Sequence, residues 1–435
     1  LTTLSPEAKI IPRDSHPISR KNIDREALKV MYRLRDKGFS SYLVGGGVRD
    51  LYLDRTPKDF DISTSARPGE ICNLFRNSRT IGRRFRLVQV FFKGNHIVEV
   101  STLRSSSEYD LDDEEVLPAN NTFGTLAEDA FRRDLTINSL FYEIENFTVI
   151  DYTGGVKDLQ DGIVRLVGEA EKRLIRDPVR ALRAIRHAAR LGFTVEPVTW
   201  EAILSHRDKL LLCPDSRLRD EMCKDLKGVA AADWAALLVK SGILAVMFPG
   251  YASLAAGDYN DLPRLLAVSD RLHKKEIVVP EHILFALLLL PWVRTKFDLY
   301  NAPVRGQEAF LFSRNLRAAL DVQLCHLNIS RSIKEAMTTL LTSLPMLRNH
   351  AHSGDQDWPK KLKRKSYFPE VLSFFQMVEE ACGGPIAEDL VFSKPAAKVR
   401  SARPRRRSDR SRSRSRRSAR ATSPRRGGIF GLSEG

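Results

Sequence analysis

Apolar positions recur with two different periods along this chain, and the change of period divides it. Up to Gly168, short alternating runs mix with short helical stripes. Leu28, Met31 and Leu34 share one stripe ended by Gly38, which predicts a helix over 25–35. Residues 42–44 predict a strand, 48–53 the start of a helix, 60–62 a second strand and 69–75 another helix. Runs 88–92 and 97–101 predict strands on either side of a Lys93-Gly94-Asn95 turn, and strands recur over 139–144 and 148–152. The polar, acidic stretch 105–121 reads as a mobile loop. This alternation predicts an α+β or α/β domain.

After Gly168 helical spacing dominates. It appears at Val179, Leu182, Ile185 and Ala189, at Trp234, Leu237 and Leu238, and over 283–290 and 371–378. An all-helical second half is expected, ending near Pro395. The longest apolar run, 283–293, is too short to span a bilayer, and Pro291 is expected to interrupt it as a helix. No transmembrane segment is predicted, and the first residues carry charge and prolines in place of an apolar signal core.

Composition changes this picture in one place. The net charge is +16, yet residues 398–426 alone hold fourteen Lys or Arg against one acid, Asp409. The rest of the chain is close to balanced. This Arg/Ser-rich tail is expected to be disordered and to attract polyanions. Five cysteines form no Cys-x-x-Cys pair and have no nearby histidine cluster. That argues against zinc and against a disulfide framework, and fits a reducing cytosol.

Candidate chemistry centres on residues 45–61. Gly45-Gly46-Gly47 between a strand and a helix lets backbone N–H groups approach a phosphate, and Arg49 stands one turn on, where a guanidinium suits a triphosphate. Asp59 and Asp61, two apart in a strand, would face one side while Phe60 and Ile62 face the core. Two converging carboxylates suit Mg²⁺ shared with substrate phosphates. Glu99, flanked by Val98 and Val100, would point to the same site from an adjacent strand, or simply to solvent. The segment Arg132-Arg133-Asp134-Leu135-Thr136-Ile137-Asn138 can hold a triphosphate and a ribose, or can be a basic helix end. Gly82-Arg83-Arg84-Phe85-Arg86-Leu87 reads as a phosphate-binding element or a solvated basic turn. Asp177 before Pro178 reads as a helix cap; with Arg180 it also offers an acceptor and a donor to a base edge.

These segments, with the order GGGVRD, KDFDI, GRRFRL, EDAFRRDLTINSL, DYTGGVKDLQDG and RDPVRALRAIR, closely resemble the bacterial poly(A) polymerases. These belong to the class II tRNA-nucleotidyltransferase group of the polymerase-β-like superfamily. The resemblance covers roughly residues 10 to 395. It implies an α+β fold: an N-terminal polymerase-β-like nucleotidyltransferase head, then all-helical neck, body and tail regions and a disordered basic C-terminus. The corresponding divisions are an extension at 1–22, a head at 23–168, a neck at 169–225, an RNA-binding body at 226–396 and a basic tail at 397–435. It implies template-independent, Mg²⁺-dependent transfer of AMP from ATP to RNA 3′ ends, with pyrophosphate released.

Carried over by position, Asp59 and Asp61 are the metal-binding catalytic pair and Asp134 a further catalytic position. Arg132, Arg133 and Asn138 contact the nucleotide, Gly45, Gly46 and Arg49 line the triphosphate site, and Asp177 with Arg180 recognise the base. Glu99 ranks below the Asp pair as a third carboxylate. The neck motif starts with Arg176 where the family has Glu, and Leu103 and Leu135 stand where it has Phe. The resemblance implies a monomer in the cytoplasm, acting in RNA processing and turnover, with RNA-processing or degradation proteins as further partners. Two rivals remain: a CCA-adding tRNA nucleotidyltransferase, and a non-catalytic RNA-binding protein.

Overall fold

Strand β2, Ser41–Val44, lies near the middle of the largest sheet, and its neighbours explain the architecture of the head. A computed structural model describes residues 7–82, 86–105, 123–353 and 358–392. Eight strands form one mixed sheet. They are β1 (Lys9–Ile11), β2, β3 (Asp61–Thr64), β4 (Ser78–Ile81), β5 (Leu87–Phe91), β6 (Ile97–Thr102), β7 (Leu140–Glu143) and β8 (Val149–Asp151). Their spatial order is β1-β8-β7-β2-β3-β6-β5-β4. Every pairing is antiparallel except β3 with β6.

Alternation decides which face each side chain takes. Leu43, Ile62, Val100 and Tyr142 share the inner face and are fully buried. Helix α1 (Arg25–Arg35) covers that face with Ala27, Val30, Met31 and Leu34, each 0% exposed. Its boundaries are those the spacing predicts. Asp24 caps it, accepting from the Glu26 and Ala27 amides at 2.9 and 2.8 Å. The opposite face carries a smaller apolar cluster of Val44, Leu103, Ala130, Phe141 and Ile150, and next to it the candidate site.

From Ala170 onward the described residues are helical, apart from β10 (Thr194–Val195), which pairs with β9 (Ile163–Val164). Pro291 does not end its helix. The segment Glu281–Phe297 is one helix of 17 residues with Pro291 inside it, and 283–293 are all buried. Tertiary burial on every side outweighs the lost backbone bond. In the turn that Pro291 loosens, the Tyr251 hydroxyl donates to the Leu288 carbonyl at 2.5 Å. No helix among the described residues is long and apolar enough to cross a membrane. Residues up to Lys394 form one compact unit whose core runs from the sheet into the helices.

Candidate active site

Asp61 opens β3, and its ladder partner on β6 is Glu99. Parallel partners in register point to the same face, so both carboxylates leave the sheet on the side away from α1. Ser63 and Ser101 repeat the arrangement two residues on, with their hydroxyl oxygens 3.1 Å apart. Glu99 is held by Gln89, whose side-chain amide donates to it at 2.9 Å. The expectation for Asp59 needs correcting. It lies before the first residue of β3, in irregular backbone, and strand alternation does not orient it. Ile62 is buried as expected and Phe60 packs against the core edge.

Asp61 reaches solvent, yet protein surrounds it on most sides. Burial, then Glu99, then Asp59 push its carboxyl up from 3.8 to about 6, while Arg133 works the other way. That is the signature of negative charge gathered without enough compensation. Among the described residues no three carboxylate, histidine or cysteine side chains converge into a ready cage for a metal. An open oxygen-donor pair fits Mg²⁺, which keeps waters and substrate phosphates in its shell, better than it fits zinc.

The glycine turn forms the next wall. Gly45 has φ of 67°, which a side chain rarely tolerates, and a Cβ there would sit 3.6 Å from Arg133 Nη1. A Cβ on Gly47 would press on the Asp59 carbonyl at 3.3 Å. The turn therefore packs directly against the segment that carries Asp59. Helix α2 (Gly46–Tyr52) follows it. Arg49 is not open to the cleft as expected: it is buried, 3% exposed. It donates to Asp50 at 2.8 and 2.6 Å and to the Asn138 side-chain oxygen at 2.8 Å, with His187 Nδ1 at 3.2 Å. Asn138 also meets His187 Nε2 at 3.3 Å. Arg49 and Asn138, both expected at the nucleotide, are thus joined to each other and to the neck.

Arg132 and Arg133 follow directly after the helix Leu126–Phe131. Asp129, fully buried, fixes both. Arg132 donates to its Oδ1 at 2.8 and 2.6 Å, and Arg133 to its Oδ2 at 3.2 and 2.9 Å. Burial would raise the Asp129 carboxyl, and the two arginines hold it below its usual range. Arg133 goes on to the Ser63 hydroxyl at 3.3 Å and lies over the Phe141 ring. It therefore faces both the carboxylates and the glycine turn. Sequence reasoning passed over Asp129, although its i to i+3 and i+4 spacing from two arginines is a helix-face signal.

Asp134 turns toward the neck. Arg180 Nε stands 2.9 Å from its Oδ1, and Arg183 donates to its Oδ2. Burial works to raise this carboxyl, and Arg180 and Arg183 overcome it. Arg183 also reaches Glu221 at 3.1 Å. Arg173 donates to the Arg132 and Arg133 carbonyls at 2.9 and 2.5 Å. Asp177 does not cap the helix Val179–Leu191. Pro178 occupies the cap position without a side-chain bond, and Asp177 accepts instead from Arg217 at 2.7 Å. Its other oxygen, Oδ1, is buried without a hydrogen-bond partner, and so is Nη1 of Arg180. Glu221 and Arg217 carried no signal in the sequence, because their partners lie about forty residues away. Arg83 to Phe85, most of the 105–121 stretch and the basic tail lie outside the described residues.

Known proteins resemble this chain over the segments that carry these residues. A model of the poly A polymerase head domain matches residues 41–165. A second, for a probable RNA and SrmB-binding site of polymerase A, matches 192–254. Poly(A) polymerase I of Escherichia coli O6:H1 is 39% identical over 371 residues, covering 81% of this chain and 78% of its own. Poly(A) polymerase I of Salmonella typhi is 49% identical over 230 residues, covering 51% of this chain and 49% of its own. Among solved structures, the CCA-adding enzyme of Bacillus stearothermophilus in complex with CTP superposes with a TM-score of 0.62 at 27% identity. It covers 83% of this chain and 78% of that one.

Proposed function

The chain belongs to the poly(A) polymerase family, and from that premise we propose that it adds AMP from ATP to the 3′ ends of many RNAs, without a template, releasing pyrophosphate. The carrying observation is Asp61 in register with Glu99, beside a glycine turn that packs against the Asp59 backbone. Asp59 and Asp61 would hold Mg²⁺, with Glu99 beside them. A divalent metal held there would supply a lowered pKa to the attacking 3′-hydroxyl and positive charge opposite the departing pyrophosphate.

The protein's own groups supply position and charge. Arg133, fixed by Asp129, faces the glycine turn where phosphate oxygens fit, and Arg132 stands on the other oxygen of the same carboxylate. Asp177 Oδ1 and Arg180 Nη1, unpartnered in the protein, offer an acceptor to the adenine amino group and a donor to a ring nitrogen. Asp134 acts through Arg180 and Arg183, holding the neck against the head. Arg49 and Asn138 support the glycine turn from beneath.

In this reading residues 23–168 are the head, 169–225 the neck and 226–396 the RNA-binding body. The protein works as a monomer in the cytoplasm, with RNA-processing proteins as partners.

The rival is CCA addition, kept in view by the likeness to a CTP-bound CCA-adding enzyme. Incubation with a short RNA, Mg²⁺ and each nucleotide separately decides between them. Long ladders with ATP alone are expected. Arrest after CCA on a tRNA lacking its 3′ end would overturn the proposal.

A further inference from the structure

His187 stands at the seam between head and neck, and nothing in the proposed chemistry uses it. It belongs to the helix Val179–Leu191, whose first turn carries Arg180. Seven residues separate the two, which is two turns of helix and about 10 Å along its axis, so they share a face. Arg180 meets the head through Asp134. His187 meets it through Arg49 and Asn138, which come from separate segments of the head.

The hydrogen bonds around the ring are short of one acceptor. Arg49 Nη1 donates to the Asn138 side-chain oxygen at 2.8 Å, which turns the Asn138 amide nitrogen toward His187. The ring then has a donor at each nitrogen: Arg49 Nη1 at 3.2 Å from Nδ1, and Asn138 Nδ2 at 3.3 Å from Nε2. Burial and the neighbouring Arg49, Arg186 and Arg190 keep the imidazole neutral. A neutral imidazole has one ring nitrogen free to accept, so it takes one donor at a time. Either tautomer therefore ties the neck helix to one of the two head residues.

Both partners lead to the phosphate side of the cleft. The Arg49 guanidinium lies against the glycine turn, with Nη2 3.5 Å from where a Cβ on Gly46 would sit. The Asn138 carbonyl accepts from Arg133 Nη1 at 3.4 Å, and the same nitrogen faces Gly45. One helix thus carries, two turns apart, an arginine proposed to read the base and a histidine that touches both supports of the turn. A rod held to the head at one point can pivot. Held at two, it has a fixed tilt, and that tilt sets the span between base and phosphates.

We propose that His187 is a positioning residue for ATP: it sets the separation between Asp177 and Arg180 on one side and the glycine turn on the other, without touching the nucleotide. This role rests on ATP being the substrate. It concerns the alignment of the two subsites and not the strength of either. ATP engages both at once, so misplacing one loses the gain of linking them.

Steady-state AMP incorporation by the full chain at saturating RNA tests this, with adenosine and inorganic tripolyphosphate as inhibitors that each fill one subsite. His187→Phe keeps a ring and removes the acceptor; His187→Leu does the same if the phenylalanine form does not fold. The expected result is a KM for ATP raised about tenfold with a smaller fall in kcat, while the inhibition constants of adenosine and tripolyphosphate stay within about twofold of wild type. His187→Gln returns an acceptor and is expected to recover most of the loss. Equal weakening of ATP and both inhibitors would give His187 a merely structural part and overturn the proposal. So would an unchanged KM for ATP in His187→Phe, or a glutamine variant as impaired as the phenylalanine one. Absence of AMP incorporation by the wild type is a different failure: it overturns ATP as substrate, and this role with it.

Discussion

Asp134 Oδ1 and Arg180 Nε stand 2.9 Å apart, so a carboxylate of the catalytic head holds an arginine of the helix proposed to read the base. The second oxygen holds Arg183, which also reaches Glu221. One carboxylate therefore holds two arginines of the helix Val179–Leu191.

Replacing Asp134 by Asn keeps the shape and removes the charge. Two guanidiniums then lose their partner in a largely buried place, at a cost of about 2 kcal/mol. We expect a lower melting temperature and a raised KM for ATP, with the Mg²⁺ dependence unchanged. A variant with wild-type stability and a changed Mg²⁺ requirement would overturn this and place Asp134 with the metal-binding pair.

Asp59→Ala and Asp61→Ala are expected to lower AMP incorporation by a factor of a thousand or more while RNA complexes still form. Gel shift and primer extension on the same preparations check this. Loss of the RNA complex, with no product from the wild type either, would favour a binding protein.

Asp129→Asn removes the carboxylate that fixes Arg132 and Arg133. Both guanidiniums become mobile at the mouth of the site. The expected result is a KM for ATP raised about tenfold, with a smaller fall in kcat. Steady-state kinetics at saturating RNA checks it.

His187 gives a pH signature. Burial, then Arg49, Arg186 and Arg190, lower its pKa from 6.5 to about 3. The unfolded chain takes up a proton below 6.5 that the folded chain refuses until about 3. Stability from this group is full above 6.5 and falls as pH drops through that window. His187→Gln should flatten the dependence of melting temperature on pH between those values, and an unchanged slope would count against it.

The charge of the basic tail carries a prediction of its own. Deleting 398–435 removes fourteen of the chain's cations together with two acids, Asp409 and Glu434. RNA affinity should fall, and its dependence on salt should become shallower, with turnover at saturating RNA unchanged. An identical RNA titration after truncation would argue against it.

Periodicity was enough to place α1 and the strands around Glu99, because helix and strand spacing are local properties. It left Glu99 either beside Asp61 or facing solvent, because alternation sets the face within one strand and only the β3–β6 register brings the two together. It drew Asp59 into the strand with Asp61, whereas β3 begins only at Asp61 and alternation does not orient Asp59. It misread Asp177 as a cap, because the competing partner, Arg217, lies on another helix. Pro291 looked like a break for the same reason: what holds its helix together is burial against distant segments. Arg49 looked like a phosphate ligand because Asn138 and His187, which hold it beside its neighbour Asp50, are far along the chain. Asp50 and Asp129 were legible and overlooked.

The order of strands in the sheet has a consequence for synthesis. β2 acquires β3 at once, but its other neighbour, β7, is made about a hundred residues later, and β1 waits for β8. Asp61 and Glu99 meet only after the whole β4–β5 meander has been laid down between them. A ribosome-bound head therefore keeps open edges until residue 151 has emerged, and the neck carrying Arg180 follows directly. A chain stopped before β6 cannot bring Asp61 and Glu99 together, and one stopped before residue 177 lacks the pair proposed to choose the base.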